Sequence, residues 1–166
     1  MSPKPFFDPT TLEGQCSALG WVPPSRRKPA FNGTPRRGQY FWVDFPHDAY
    51  APEFFGEHPG IVVRAAQNMQ DTCIIVPVTS TPPVTTAPHI HQLARNPNPL
   101  TPTRPVWAIC NHLYTVHVAR LRPCKAKYGN NIFPTVDRAD MTEIYQRIAK
   151  AVLPAGWSTP KKGEGP

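Results

Sequence analysis

The chain has 166 residues, 23 of them proline and 10 glycine, and carries a formal net charge of +7. That length holds one domain with a core and loose ends, and the proline load excludes an architecture of long helices while favouring short strands, turns and extended arms. The basic balance points to an anionic partner, most often nucleic acid. No apolar run approaches a membrane span and no signal peptide opens the chain, so a cytoplasmic location without membrane association is expected.

In chain order, residues 1–37 read as a basic, proline-rich arm. Pro23-Pro-Ser-Arg-Arg-Lys-Pro29 and Pro35-Arg-Arg37 combine prolines with clustered charge and offer little apolar surface to offset ordering entropy. Phe6, Phe7, Leu19, Trp21 and Val22 are the arm's candidate anchors. The globular domain is placed at 38–154, and 155–166 reads as a polar tail.

Gly38-Gln-Tyr-Phe-Trp-Val-Asp-Phe45 alternates with period two, Tyr40, Trp42 and Asp44 on one face and Phe41, Val43 and Phe45 on the other, which predicts a strand. A polar loop over 46–55 follows. A second strand is expected at 60–64 and a third at 72–80, where Pro77 predicts an edge or a bulge because proline donates no ladder hydrogen bond. Residues 89–93 form a short candidate strand with His89 and His91 on one face. The proline-studded stretch 94–105 is a long loop of the kind that is usually functional or disordered. Residues 106–110 and 114–118 read as two further strands.

The single predicted helix runs over 137–152. Met141, Ile144, Tyr145, Ile148, Ala149 and Val152 recur at helical steps, Asp137 is a good N-cap, and Asp140 and Glu143 lie early while Arg147 and Lys150 lie late. Ile144 and Ile148 are both expected to be buried. About five or six strands followed by one helix predict a mainly β fold, a small, strongly curved antiparallel sheet or barrel with the helix across its open side or end.

The order of these segments resembles the PemK/MazF toxins of toxin–antitoxin systems. Gly38-Gln-Tyr-Phe-Trp-Val-Asp-Phe45, Gly56-Glu-His-Pro-Gly-Ile-Val-Val63, Ile75-Val-Pro-Val-Thr-Ser80, Trp107-Ala-Ile-Cys-Asn-His112 and the pair Tyr114-Thr-Val116 and Ala119-Arg-Leu121 resemble successive strands of that family. The resemblance implies a compact SH3-like barrel, a homodimer, metal-independent and sequence-selective cleavage of RNA that inhibits growth, and a cognate antitoxin. Thr79 stands at the family's functional Thr or Ser. His58 stands where the family usually has a functional Arg, and Ile109 and Asn111 where some members carry a catalytic Arg and Asp. These departures keep open a toxin of the same fold that has lost cleavage and binds nucleic acid or a protein target such as gyrase, and an effector controlled by something other than a dedicated antitoxin.

Metal-free RNA cleavage needs a base for the 2′-OH, an acid for the leaving 5′-oxygen, and donors or cations for the phosphorane charge. Histidine suits both proton roles. His58 is the first candidate, His112 the second, and Thr79 is placed to donate to a phosphate oxygen. His89, His91 and His117 are further histidines in the supply. Arg64, Ser80, Asn111, Tyr114, Arg36 and Arg37 are the candidate RNA-binding residues, with Tyr40, Trp42, Trp107 and Tyr114 available for stacking on bases; for Trp42 and Trp107 a core position is the better expectation. His89-x-His91 and Cys110-x-His112 each pair two possible ligands. Structural zinc usually brings cysteines two to four apart, a spacing absent here, so no metal or other cofactor is expected. Cys16, Cys73, Cys110 and Cys124 are read as reduced thiols.

Overall fold

A computed structural model describes residues 28–69 and 71–153. Three consecutive antiparallel strands form its centre: β1 (Tyr40–Phe45), β2 (Gly56–Arg64) and β3 (Thr72–Thr79). Three short strands follow, β4 (Ile90–Gln92), β5 (Trp107–Ile109) and β6 (Tyr114–His117). A 3-10 turn over Val118–Arg120 leads into β7 (Leu121–Arg122). β8 (Cys124–Lys125) and β9 (Asn131–Ile132) make a separate hairpin, and α1 (Arg138–Val152) ends the described chain.

The main sheet runs β4-β5-β3-β2-β1-β7, with β6 also paired to β3. It is curved and open, not a closed barrel. Pro77 lies in the middle of this sheet, not at an edge. On one side of β3, residues Thr72 to Ile75 pair with β6 and residues Val78 and Thr79 pair with β5. Pro77 falls in the gap where the partner changes, the place where a missing N–H costs least. On its other side β3 follows β2, with a register irregularity between Val62 and Arg64.

Alternation in β1 to β3 feeds two cores, one on each face. Tyr40, Ile61, Val76 and Val78 join Val106, Ala108, Met141 and Ile144 under the helix. Phe41, Val43, Phe45, Val62, Cys73 and Ile75 join Val116, Val118 and Leu121 on the other face. That second core also takes in Phe31, stacked on Phe41 at 5.2 Å, so packing against the sheet reaches seven residues ahead of Gly38, where the sequence starts the domain. Gly60 is the close-packed point of this face: a Cβ there would run into the Ile75 side chain and come within 3.0 Å of Val43 Cγ2. The expected anchors Phe6, Phe7, Leu19, Trp21 and Val22 lie outside the described residues, as does Cys16. Cys73, Cys110 and Cys124 are buried free thiols, and burial pushes them up to about 12, 12 and 11 respectively.

The helix begins as its sequence indicates, with the Asp137 carboxylate accepting the Asp140 N–H at 2.8 Å. Its apolar stripe is buried only in its first half. Ile144 is fully buried, whereas Ile148 is partly buried, Tyr145 is a third exposed and Val152 more than half exposed. Tyr145 nevertheless donates its hydroxyl to the Val63 carbonyl at 2.6 Å. Asp140, read from the sequence as an early acidic residue that suits the helix dipole, is buried. It accepts from the Ala94 N–H at 3.0 Å and lies 2.8 Å from His91 Nε2. This carboxylate therefore ties the first turn of α1 to the end of β4 and the start of the 94–105 loop.

Two stability outcomes follow. Ile144→Ala should cost about 2–5 kcal/mol in denaturant unfolding, with Ile148→Ala costing clearly less because its site is already part open. Equal losses at the two positions would contradict this packing. Asp140→Ala should cost about 3 kcal/mol, since His91 and the Ala94 amide lose a buried acceptor, against about 1 kcal/mol for the cap variant Asp137→Ala. An Asp140→Ala loss no larger than that of Asp137→Ala would show that the tie contributes little.

Candidate functional site

Two clefts open at the end of the sheet where β2 begins and β3 ends. The register Ile61↔Val76, Gly60↔Pro77, continued toward that end, carries His58 to the position opposite Thr79. The two residues line one cleft of about 450 Å³ together with Trp42, Ser80, Asn98 and Arg104. The second cleft, about 490 Å³, is lined by Thr79 again, with Phe54, His89, Ile109, Asn111 and His112. Thr79 and Thr81 belong to both, so the clefts meet at the end of β3.

Each reactive side chain is held by an identifiable contact. His58 is in β2, cross-strand from Val43, partly buried, with its ring edge-on to Phe54 at 5.3 Å. His112 follows the turn after β5, where its N–H donates to the Ile109 carbonyl at 3.1 Å, and its ring meets the same Phe54 edge-on at 5.8 Å. Phe54 is itself fixed by its N–H donating to the Tyr114 hydroxyl at 2.9 Å. One aromatic ring therefore sets the position of both histidines. Thr79 Oγ1 accepts the Thr81 N–H at 3.0 Å, which leaves its own O–H free to donate into the clefts.

Burial and hydrogen bonding set several of the histidines apart. Burial lowers the pKa of His112, the neighbouring His89 lowers it further, and Glu53 offsets this in part. His112 is thus held in its neutral form, and its Nδ1 is buried without a hydrogen-bond partner. His91 is occupied by Asp140, and His117 Nδ1 accepts the Ala119 N–H at 3.1 Å as the cap of the 3-10 turn. Among the described residues no group of three or more His, Cys, Asp or Glu side chains is placed to hold a metal ion.

Of the residues singled out in the sequence, the fold brings together His58, Thr79, Ser80, His112 and Asn111 around the two clefts. Tyr114 lies beneath them, packing on Phe45 at 4.8 Å and holding Phe54 through its hydroxyl. Tyr40 is buried, which pushes its phenol pKa upward, while Trp42 is partly buried and walls the first cleft. Arg64 is at the far end of β2, six residues and so about 20 Å from His58. Arg36 and Arg37 precede β1 at that same far end, where the Gly38 N–H reaches the Val62 carbonyl and Arg37 acts on the Tyr145 phenol. These three cations form no part of the clefts.

Sequence reasoning did not single out Asn96, Asn98, Thr101 and Arg104, which the 94–105 loop folds over the first cleft. The available signal was the loop's length together with its spaced asparagines, which hold it internally. Asn96 Nδ2 donates to the Thr101 carbonyl at 2.8 Å, and Asn96 Oδ1 accepts the Asn98 N–H at 3.0 Å.

Known proteins bear on this geometry as follows. No curated protein matches the sequence. Among solved structures, an endoribonuclease in complex with its cognate antitoxin from Mycobacterial species is 21% identical with a TM-score of 0.50, over 75% of this chain and 99% of that one. A crystal structure of MazF from Deinococcus radiodurans is 13% identical with a TM-score of 0.51, over 72% and 96% of the two chains. At these identities the likeness establishes the fold. No described helix is long and apolar enough to cross a membrane. Residues 36–152, the whole sheet and helix, match the family described as PemK-like, MazF-like toxin of type II toxin–antitoxin system, and the chain belongs to that family.

Proposed function

We propose that this toxin is a metal-independent endoribonuclease that acts as a homodimer in the cytoplasm and is restrained by a cognate antitoxin. The observation that carries the reading is the position of Thr79 between two clefts, one bearing His58 and the other His112. A scissile phosphate seated at Thr79 accepts its O–H and meets a histidine on either side. His112, kept neutral by burial, takes the proton from the ribose 2′-OH. The 2′-oxygen attacks phosphorus, the bond to the 5′-oxygen breaks, and His58 supplies the proton to that oxygen. The products are a 2′,3′-cyclic phosphate and a free 5′-OH. Ser80 and Asn111 flank the phosphate as polar contacts. The antitoxin follows from the family and from the solved relative described with one.

A second reading rests on Ile109 and Asn111. Both line the His112 cleft, and the family resemblance implies a catalytic Arg and Asp at these positions in some members, so the same clefts would bind a nucleic acid or a protein without cleaving it.

Cleavage of a mixed-sequence RNA separates the two. His58→Ala and His112→Ala should each lower the rate by about 10²–10⁴-fold, and Thr79→Val by less, with EDTA without effect and cyclic-phosphate ends on the products. Full activity in both histidine variants would remove the mechanism. Growth inhibition by wild type without any cleavage would favour the binding reading. Removing residues 1–27 should leave the fold intact and weaken RNA retention most at low salt, and a truncated chain that fails to fold would make the arm part of the domain.

The pH dependence has a definite sign. An unfolded histidine protonates below about 6.5, whereas native His112 stays neutral to lower pH. Stability should be constant above that value and fall as the pH drops from about 6.5 through the lowered native value. His112→Phe should make the fall shallower between pH 7.5 and pH 5. An identical fall in the variant would assign the dependence to other groups.

A further inference from the structure

We infer that Arg104 is the phosphate-binding cation of this site, supplied by the 94–105 loop. The inference rests on the RNA-cleavage reading and adds to it the group that bears the developing charge. Phosphoryl chemistry at Thr79 puts more negative charge on the non-bridging oxygens in the transition state than in the ground state, and a fixed cation there acts on the difference. A histidine engaged in proton transfer changes its charge during the reaction and does not fill that role. Across both clefts the lining contains one permanently charged cation, Arg104.

The loop delivers this residue in a defined place. Asn96 is buried, and its side chain holds the Thr101 carbonyl. The Thr101 N–H donates to the Asn98 carbonyl, and the Arg104 N–H donates to the Thr101 carbonyl, both at 3.1 Å. Pro102 and Pro105 fix their own φ on either side of Arg104. Immediately beyond, Val106 is buried and its carbonyl accepts the Leu93 N–H at 3.0 Å, and Trp107 pairs with Thr79 itself. Arg104 thus lies three residues from the strand partner of the proposed phosphate donor. Its backbone is pinned on both sides, and its exposed side chain has no ion-pair or hydrogen-bond partner among the described residues. The one carboxylate lining this cleft, Glu57, is paired across the strands with Arg122 at 3.6 Å. The planar guanidinium is therefore available to two oxygens of one phosphate in a bidentate contact.

Two measurements on the full chain test this. In cleavage of a mixed-sequence RNA, Arg104→Ala should lower kcat by about 10²-fold, and Arg104→Lys, which keeps charge without the fork, should fall between the variant and wild type. With a fully 2′-O-methylated single-stranded RNA, which lacks the nucleophile, Arg104→Ala should make the plot of log affinity against log salt shallower by about 0.7, the release expected for one phosphate contact on a single strand. Arg95→Ala, in the same loop but outside both clefts, should change neither. If Arg104→Ala cleaves at the wild-type rate with the wild-type slope, the inference is overturned while the RNA reading stands. Equal losses in Arg95→Ala and Arg104→Ala would overturn it in favour of diffuse loop charge. If wild type neither cleaves nor retains RNA, the function reading fails and takes this inference with it.

Discussion

The centre of the sheet packs as tightly as it does because residue 60 has no side chain. Gly60 faces Phe41 of β1 and Pro77 of β3, and the volume a Cβ would need there is already filled by Ile75 and Val43. Side chains from the two flanking strands therefore pack directly over the Gly60 backbone. The position lies two residues from His58 along β2 and, across the strands, two residues from Thr79 along β3. The antiparallel register that runs through Gly60 and Pro77 is what sets a histidine and a hydroxyl from different strands at one cleft.

A second constraint sets the outer wall of the site. Polar groups inside a protein need partners, and Asp140 meets that need by binding Ala94 and His91 at once. The helix is consequently fastened to the sheet near its first turn, with Met141 and Ile144 packed beside that fastening. Farther along α1, the later apolar residues are left part open. The same carboxylate fixes the start of the loop that covers the first cleft, so the helix N-terminus and the cleft wall share one anchor.

Much of this was legible in the sequence, for identifiable reasons. Period-two alternation marks β1 because both its faces are buried, and the Asp137 cap marks the helix start because capping is local. The order of strand segments carried the family. What was not legible depends on distant residues meeting. Pro77 looked like an edge signal because sequence does not show that β3 exchanges one partner for another there. Ile148 and Ile144 share the apolar stripe on a helical wheel, and only the packing against distant residues separates them. His91 looked like a free candidate base because its partner lies 49 residues away. Arg64, Arg36 and Arg37 were grouped with the site by charge, whereas antiparallel pairing puts them at the opposite end of the strands. Arg104 was hidden in a loop whose turn-forming asparagines and prolines do not reveal which way it folds.

The Thr81 amide that binds Thr79 Oγ1 has a consequence for entropy. A surface hydroxyl samples several rotamers, and a ligand that needs one of them must bear the cost of selecting it. Here the β-branched side chain already restricts χ1, and a backbone N–H occupies one lone pair before any ligand arrives. The remaining hydrogen has a narrowed arc, directed away from that amide. The hydroxyl therefore meets an incoming acceptor already oriented, and a ligand that offers only donors finds one lone pair taken. A serine could make the same bond but would have more rotational freedom to lose, so the extra methyl group at this position works as a preorganising element of the clefts.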